Sequence, residues 1–363
     1  MNKMPPASPA TPPDTEIGPD AALAPPGTVG RILVCQLRQI GDVLLSTPAI
    51  ELLAKHYPGA EIHVYTEKRC APMLENNPHV HKIWELDKKS LPTPLHQFAF
   101  YRKVAANRYD LLVNFQHLPR CTWVAALSRA RVKLAPQGRC FTRWLYTRQV
   151  PDLAGYSAAA KAGVLSPLGI RWNGEAPRLY LTDAEQRAGR ELLRDMGLEG
   201  KDFISVDATH RSANRRWPER HYAALLDMLG REFPDLHFLL TYGPGEEEQV
   251  RSLRVLCRER DKVRLFPGVQ SLRHVAACIA GAGLHLGNCS APRHMAVALG
   301  VPSFTILGAT GTGWTFPSEK HMHVQAKQFM DLSCQPCRRA TCPEDLACLR
   351  KLDPELIFPL LAA

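Results

Sequence analysis

The chain has 363 residues, which is too long for one typical globular core and about the length that two domains need. Its composition is ordinary for a globular protein, no apolar run is long enough to span a bilayer, and no apolar secretory segment stands at the N-terminus, so we predict a cytoplasmic protein. The formal net charge of +10 favours an anionic partner, such as a nucleic acid, a membrane surface or a phosphorylated substrate.

Five segments of different character follow one another along the chain. Residues 1–29 are rich in Pro and Ala and lack apolar periodicity, which predicts a disordered tail. Strand-like and helix-like patterns alternate over residues 30–170 and again over residues 182–326, and the intervening residues 171–181 have the features of a linker. Residues 327–363 form a Cys-rich appendage that ends in a short predicted helix.

The alternation of strands and helices predicts the fold class. The predicted strands are 32–35, 62–65, 82–86, 111–114, 203–206, 238–240, 284–286 and 303–307, the last clear one. The predicted helices cover 43–57 with a break at Pro48, 95–107, a segment starting at Thr182, 219–232, 274–282 and 291–299. Such alternation indicates parallel sheets with crossover helices. We therefore predict two Rossmann-like α/β domains that face a cleft, with ligands at the carboxyl ends of the strands.

The first polar motif, Arg38–Leu44, directly follows the first predicted strand. It is not a G-x-G-x-x-G turn, so a dinucleotide is not expected on this domain. The motif places Asp42 at a helix N-terminus facing the cleft, where the helix dipole stabilises a carboxylate and where it could act as a general base. An ordinary acid in the first turn of a helix would give the same pattern.

A basic stretch occupies the second half of the first domain. Between Tyr101 and Val150 there are ten Lys or Arg residues, and Asp110 is the only acid. Ordinary protein surfaces mix both signs of charge, so this imbalance predicts a surface that faces an anion.

The second polar motif, Asp207–Pro218, lies between a strand and a helix. Its hydroxyls, including that of Thr209, and its guanidinium groups, Arg215 and Arg216, stand before a helix N-terminus, which is a favourable place for a phosphate. Cations there would stabilise the charge that develops on a leaving diphosphate. Two solvated arginines on a loop remain the alternative interpretation.

The third motif follows another strand with a turn of small residues, which lets the backbone approach a phosphate closely. Ser290 is the expected N-cap of the next helix. Its candidate phosphate-binding residues are Asn288, Cys289, Ser290, Ala291, Pro292 and His294, although His294 could equally be a buried helix histidine. Thr310, in a Gly-rich turn after the last predicted strand, offers a further hydroxyl to phosphate or ribose.

Four cysteines cluster near the C-terminus with the spacing C-x2-C-x4-C-x5-C. Four thiolates in one loop-rich stretch fit a tetrahedral structural metal site, for which zinc is favoured over iron. The alternative is four reduced thiols that pack a small subdomain. The candidate ligands are Cys334, Cys337, Cys342 and Cys348.

The order and spacing of three segments, 32–44, 214–222 and 287–300, resemble the heptosyltransferases, glycosyltransferase family 9. The resemblance extends over most of residues 31–355. It implies a GT-B fold whose N-terminal domain takes the acceptor and whose C-terminal domain takes an ADP-heptose donor. It further implies a metal-independent, inverting reaction that needs no catalytic cofactor, with Asp42 of the Gly-Asp motif as the base.

The resemblance also assigns roles to other residues of this sequence. In the family a basic residue just before a Trp-Pro pair faces the donor phosphates, and Arg215 matches it, with Arg216 adjacent. The third motif of the family is usually Asp-Ser-Ala/Gly-Pro-x-His, and here Cys289 replaces its Asp, which leaves the identity of the heptose donor open. Candidate residues for an anionic acceptor, a lipopolysaccharide core or a similar glycolipid, are Arg38, Arg120, Arg139 and Arg143. The resemblance favours peripheral contact with the inner membrane face and no nucleic-acid partner.

Two other classes of protein stay open at this point. One is another GT-B transferase, or an epimerase, that uses a different nucleotide sugar. The other is a basic, metal-bearing nucleic-acid-binding protein, which the aromatic residues among the arginines favour. These aromatic residues are Trp123, Phe141, Trp144 and Tyr146.

Overall fold

The computed structural model of the chain describes residues 23–138, 140–337, 339 and 341–362. The described chain forms two compact units, with the division between Tyr180 and Leu181, at the end of the predicted linker. Most of the predicted tail, residues 1–22, lies outside the described residues. Its last part is not disordered, which corrects the predicted boundary: Ala24 and Val29 are buried, and the Tyr57 hydroxyl donates a hydrogen bond to the Ala24 carbonyl at 2.8 Å.

The N-terminal unit is a parallel sheet with helices connecting its strands. The strands are β1 (Arg31–Cys35), β2 (Glu61–Glu67), β3 (Lys82–Leu86), β4 (Leu111–Asn114), β5 (Val132–Pro136) and β6 (Arg148–Val150). The helices are α1 (Ile40–Leu44), α2 (Thr47–His56), α3 (Pro94–Ala105), α4 (Pro119–Leu127) and α5 (Ser157–Gly163). Within the described residues the strand order is β3-β2-β1-β4-β5-β6, so β1 and β4 are central neighbours.

Burial explains why β1 is central. Ile32, Leu33 and Val34 have no exposed surface, and Val34 pairs with Val64 of β2 on one side and Val113 of β4 on the other. A continuous apolar run of this kind suits a strand that is covered on both faces.

The helix predicted over residues 43–57 is in fact two helices. The chain leaves α1 at Leu45, and α2 begins at Thr47 with Pro48 in its first turn. Proline lacks the backbone N–H that an internal helical position needs, but the first turn leaves that N–H unpaired in any case. The predicted break in this helix is thus confirmed, but it lies at residues 45–46, about two residues before Pro48.

The C-terminal unit repeats the arrangement. The strands are β7 (Phe203–Asp207), β8 (His237–Leu240), β9 (Val263–Leu265), β10 (Leu284–Asn288), β11 (Ser303–Leu307) and β12 (His321–Gln325). The helices are α6 (Asp183–Asp195), α7 (Glu219–Glu232), α8 (Glu247–Leu256), α9 (Leu272–Ala280), α10 (Ala291–Ala298), α11 (Ala347–Arg350) and α12 (Pro354–Ala362). Among the described residues the parallel strand order is β12-β11-β10-β7-β8-β9.

The helix predicted to start at Thr182 begins there with a capping box. The Thr182 hydroxyl accepts a hydrogen bond from the Glu185 backbone N–H at 3.2 Å, and the Glu185 carboxylate accepts one from the Thr182 N–H at 2.8 Å. Two backbone donors that the first helical turn leaves unpaired are thereby satisfied, which fixes the start of the C-terminal unit.

Two predictions about the end of the chain are wrong. β11 is not the last strand, because β12 pairs with it in parallel. Residues 327–363 are not an appendage, because they belong to the C-terminal unit: α12 packs on α7, and the Trp217 indole N–H donates to the Leu352 carbonyl at 2.9 Å. In the part of the chain that the structure describes, we find no helix with the length and apolarity that crossing a bilayer requires.

Candidate functional site

A depression of about 450 Å³ lies where β1 and β4 end in the N-terminal unit. It is lined by Arg38, Gln39, Asp42, Gln116, His117 and Leu118. The first three residues follow β1 and the last three follow β4, so the depression forms at the carboxyl ends of two neighbouring parallel strands. This is where ligands of open α/β sheets bind.

Asp42 is held by contacts on both carboxylate oxygens. Its Oδ2 accepts a hydrogen bond from the Gln39 backbone N–H at 3.0 Å, and its Oδ1 lies 3.8 Å from the ammonium nitrogen of Lys161 on α5. The Asp42 side chain keeps 21% of its surface exposed. An oriented and still accessible carboxylate of this kind can accept a proton from a bound hydroxyl.

Lys161 is a functional candidate that the sequence did not reveal. Its side chain is largely buried, and its ammonium donates a hydrogen bond to Oε1 of Gln36 at 2.9 Å. Burial lowers the pKa of Lys161 and the neighbouring Asp42 opposes that shift. No motif marks this lysine, because it reaches Asp42 and Gln36 from a helix more than a hundred residues away along the chain.

Gln116 joins the two loops that line the depression. Its side-chain carbonyl lies 3.2 Å from the backbone nitrogen of Leu37 and 3.3 Å from that of Arg38, and its amide donates to the Arg38 carbonyl. Next to it, His117 contacts the Pro136 carbonyl through Nε2 at 2.6 Å. Sequence reasoning missed both residues, although their place directly after β4 was a usable signal.

The predicted acceptor-binding arginines do not all lie together. Arg38 lines the depression with Asp42. Arg120, in the first turn of α4, lies beside the Tyr101 hydroxyl, and Arg143 is exposed on the 3-10 turn 140–145; neither lines the depression. Arg139 lies outside the described residues. The depression therefore combines one arginine with the candidate base.

In the C-terminal unit, side chains after three neighbouring strands form a hydrogen-bonded chain. The Thr209 hydroxyl, after β7, lies 2.8 Å from Oε2 of Glu246, after β8, and 3.2 Å from Oδ1 of Asp207. The Glu246 carboxylate also accepts from the Gly243 N–H at 2.8 Å. From the turn after β10, the Ser290 hydroxyl donates to Oδ2 of Asp207. Sequence reasoning did not select Asp207 or Glu246.

Asp207 is a buried acid at the centre of this chain. Burial raises the pKa of its carboxyl to about 7, although the hydrogen bond from Ser290 works in the opposite direction and the Glu246 carboxylate adds to the rise. A Cβ atom at position 287 would lie 2.8 Å from the Asp207 carbonyl oxygen and 3.0 Å from its Cβ atom. This close approach explains why the third motif begins with Gly287.

The side chain of Asn288 is hydrogen-bonded within the protein. It is fully buried, and its Oδ1 accepts hydrogen bonds from the Trp217 N–H and the Tyr222 hydroxyl, each at 3.1 Å. Its amide donates to the Thr209 carbonyl at 3.2 Å and faces the Asp207 carbonyl at 3.4 Å. With its hydrogen-bonding capacity filled by the protein, Asn288 ties the second motif to the third.

The other predicted donor-binding residues surround the same strand ends. Arg215 is exposed, and Arg216 donates to Oε1 of Gln249 at 3.2 Å. The Thr310 hydroxyl is buried and has no hydrogen-bond partner among the described residues. The remaining members of the third motif line the start of α10: Cys289 is a buried free thiol, Ser290 is the N-cap, and Ala291 and Pro292 are half-buried.

His294 is a buried neutral histidine. Burial, together with Arg293 next to it, holds its pKa well below the usual value, and its ring packs edge-on against Trp314 with 6.4 Å between centroids. The structure thus gives His294 the surroundings of a core residue on α10 and not those of a charged ligand for phosphate.

The metal predicted at the four C-terminal cysteines is not supported. Across residues 23–138, 140–337, 339 and 341–362, no group of three or more His, Cys, Asp or Glu side chains has an arrangement that could hold a metal ion. Cys348 is buried, and burial raises the pKa of its thiol to about 11, whereas Cys334, Cys337 and Cys342 are half-buried.

Most of the chain is similar to proteins of one known family. Residues 97–347 match the family model of glycosyltransferase family 9 (heptosyltransferase). The chain is 28% identical over 283 residues to lipopolysaccharide heptosyltransferase 3 of Escherichia coli, which covers 76% of this chain and 82% of that protein.

Solved structures show the same fold. The structure of the glycosyl transferase family 9 from Veillonella parvula matches with a TM-score of 0.80 at 21% identity, over 92% of this chain and 96% of that one. The structure of E. coli ADP-heptose lps heptosyltransferase II matches with a TM-score of 0.73 at 19% identity, over 92% and 97%. The predicted GT-B fold is confirmed by these similarities and by the two parallel sheets.

Proposed function

This chain belongs to glycosyltransferase family 9 and is a glycosyltransferase, and on that premise we propose that it transfers heptose from ADP-heptose to a lipopolysaccharide inner-core acceptor with inversion at the anomeric carbon. The observation that carries the proposal is the depression in which Asp42 and Arg38 of one motif meet. We assign the acceptor to the N-terminal unit and the donor to the C-terminal unit.

In the proposed reaction Asp42 is the general base. Its carboxylate takes the proton of the acceptor hydroxyl as that oxygen attacks the anomeric carbon of the heptose. The bond between the anomeric carbon and the diphosphate oxygen breaks at the same time, and ADP leaves with the bonding electrons. A single displacement of this kind inverts the configuration of the anomeric carbon. Its atoms and electrons balance without a metal ion.

The proposed role of the second motif is to stabilise the departing diphosphate. Arg215 is exposed and Arg216 is half-buried in the loop that precedes α7, so both residues stand shortly before the N-terminus of a 14-residue helix, which is its positive end. Charge develops on the diphosphate oxygens in the transition state, and cations placed there lower the barrier more than they tighten substrate binding.

The third motif lacks the acid that the family usually has at position 289. Asp207 brings a different carboxyl to the same turn through its hydrogen bond with Ser290. We propose that Asp207 orders the donor-binding turn in place of the missing acid, and that the protein works in peripheral contact with the membrane face that displays its acceptor.

The proposed function is tested with the purified full chain, ADP-heptose and lipopolysaccharide that lacks inner-core heptose. We expect ADP release together with an acceptor that gains the mass of one heptose, and calorimetry is expected to show binding of ADP in preference to UDP and GDP. Binding of UDP without ADP, or consumption of a nucleotide sugar without a glycosylated acceptor, would instead support a different GT-B transferase or an epimerase.

A further inference from the structure

The N-terminal unit exposes large apolar side chains in one region. Among its described residues, the exposed large apolar side chains are Leu95, Phe98, Trp123 and Trp144, with exposed fractions of 75%, 37%, 52% and 78%. Single exposed apolar residues are normal on a protein surface, but a group of them that includes two tryptophans indicates a surface that something covers.

These four side chains lie on adjoining elements. α3 packs against α4, and α4 contacts the 3-10 turn 140–145. The rings of Phe98 and Trp123 meet edge-on with 6.1 Å between centroids, which joins the exposed rows of α3 and α4. Leu95 lies one helical turn before Phe98 on the same side of α3. We call this surface, formed by α3, α4 and the turn 140–145, the aromatic face.

The exposed row of α4 carries no charge. Its members are Pro119, Trp123 and Ala126, which share one side of the helix. The buried side of the same helix, Cys121, Val124 and Ala125, packs into the core of the unit. A short helix that is apolar on both its core side and its solvent side is suited to burial on both sides.

The charge around the aromatic face has one sign. The three segments that form the face, 94–105, 119–127 and 140–145, contain four Lys or Arg residues and no Asp or Glu, and the single acid in the chain between them is Asp110. The Asp110 carboxylate is engaged by the backbone N–H groups of Gly30 and Arg31, at 2.8 and 3.0 Å. Arg102 on α3 and Arg143 on the turn are exposed. The partner of this face must therefore be both apolar and anionic.

We propose that the aromatic face docks on the surface of an anionic phospholipid bilayer. Tryptophans and leucine would enter the interfacial layer, where an amphipathic aromatic ring is most stable, while the arginines and lysines face lipid phosphates. Nucleic acid would use the cations and could stack on the tryptophans, but it offers nothing to the aliphatic members of the face, Leu95, Pro119 and Ala126.

The position of the aromatic face fits the proposed function. The biological purpose of docking at this face rests on that proposed function. α4 begins at Pro119, directly after Leu118, which lines the depression with Asp42. A bilayer held against α4 would thus lie close to the candidate base. An acceptor whose lipid stays in that bilayer could present its sugar to Asp42 without leaving the membrane.

The test is flotation of the full chain with vesicles of phosphatidylglycerol and phosphatidylethanolamine, compared with neutral phosphatidylcholine vesicles. The variant is Trp123→Ser/Trp144→Ser. The matched control is Val255→Ser/Leu256→Ser on α8 of the C-terminal unit, where the two side chains are 70% and 51% exposed. We expect the wild type and the control to bind anionic vesicles in a salt-dependent manner, and the variant to bind on the order of tenfold more weakly, because binding scales with the apolar area that enters the interface.

Because Trp123 packs on Phe98, Trp144→Ser alone is measured as well, and thermal unfolding confirms that each variant is folded. Equal vesicle binding by wild type and the folded tryptophan variants overturns the proposal. Tighter binding to neutral than to anionic vesicles also overturns the proposal. Binding to duplex DNA without binding to vesicles overturns it as well. Vesicle binding is read without any sugar donor, so failure of heptose transfer would reject the proposed function and leave this result intact.

A second measurement links the face to the reaction. With acceptor embedded in vesicles, Trp123→Ser/Trp144→Ser should slow transfer, and with a deacylated, water-soluble acceptor it should not. Equal slowing on both acceptors would mean that the tryptophans act on the site itself, which also overturns the docking proposal.

Discussion

The ammonium nitrogen of Lys161 lies 3.8 Å from Oδ1 of Asp42 and donates a hydrogen bond to Oε1 of Gln36. α5 thereby reaches the loop after β1 from a distant part of the sequence. The contact orients the Asp42 carboxylate from one side, and the Gln39 N–H orients it from the other. Both contacts leave the acid partly exposed to the depression.

Asp42→Asn tests the base. The amide keeps the shape of the side chain but cannot take a proton, so turnover should fall by about a hundredfold to ten-thousandfold. ADP affinity, measured by calorimetry, should stay nearly unchanged because the donor belongs to the other unit in our proposal. Asp152→Asn, an exposed acid of the same unit, is the control and should behave as the wild type. Undiminished turnover in Asp42→Asn would rule out its role as base.

Lys161→Met tests the positioning of Asp42. Methionine fills similar space without the charge, and a small displacement of a reacting group is enough to lower kcat on the order of tenfold. The free energy of unfolding should change little, since burying an ammonium group is itself costly. Lys320→Met, at an exposed lysine of the C-terminal unit, serves as the control. If kcat is retained in Lys161→Met, the lysine has only a structural role.

Asp207→Asn tests the protonation of the buried carboxyl. Its pKa is raised by burial to about 7 in the folded state, so the acid form favours folding. This contribution to stability is fully present below the ordinary Asp pKa of about 4 and is lost as the pH rises to about 7, by up to about 1.4 kcal/mol per pH unit. The neutral amide should remove that pH dependence from the free energy of unfolding, measured with denaturant between pH 4 and 8.

The same variant has a readout at the donor site. In the wild type, ADP affinity should depend on pH near 7 through the Asp207–Ser290 contact, and in Asp207→Asn this dependence should be weaker. Asp235→Asn, an exposed acid of the C-terminal unit, is the control. Parallel pH profiles for wild type and Asp207→Asn would show that the carboxyl does not titrate in this range.

Gly287→Ala tests the close approach of β10 to β7. The added Cβ would meet backbone and side-chain atoms of Asp207 at 2.8 to 3.0 Å, closer than real Cβ contacts allow. The strands must separate, which should lower the free energy of unfolding by about 1–3 kcal/mol and weaken ADP binding. Gly268→Ala is the matched control, because nothing lies within 4 Å of the Cβ it would add. Equal stability of the two variants would contradict the contact.

The sequence alone was sufficient to predict the bounds of helices and strands that have a strong local signal. The bounds of β3, β4, β11 and α7 agree with their predictions, since each has either a compact apolar run or a clear helical period. β9 has only three residues, and β12 contains two histidines. These strands were missed because pairing with a neighbour, and not their own pattern, makes them strands.

The same distinction applies to the site. Arg38 and Asp42 stand in one local motif and were found together. Lys161, Gln116 and Glu246 reach their partners through contacts between residues far apart in sequence, and no local pattern records such contacts. Asp207 was passed over because its significance depends on burial and on Ser290, which only the folded sheet brings to it.

Trp217 connects the end of the chain to the loop that carries Arg215 and Arg216. Its indole is anchored by the Leu352 carbonyl and its backbone N–H by Asn288. Shortening the protein from its C-terminus to before Leu352 would remove that anchor, although the four clustered cysteines would remain in the chain. Expression tags and fusion partners are therefore better placed at the N-terminal end when nucleotide binding is to be measured.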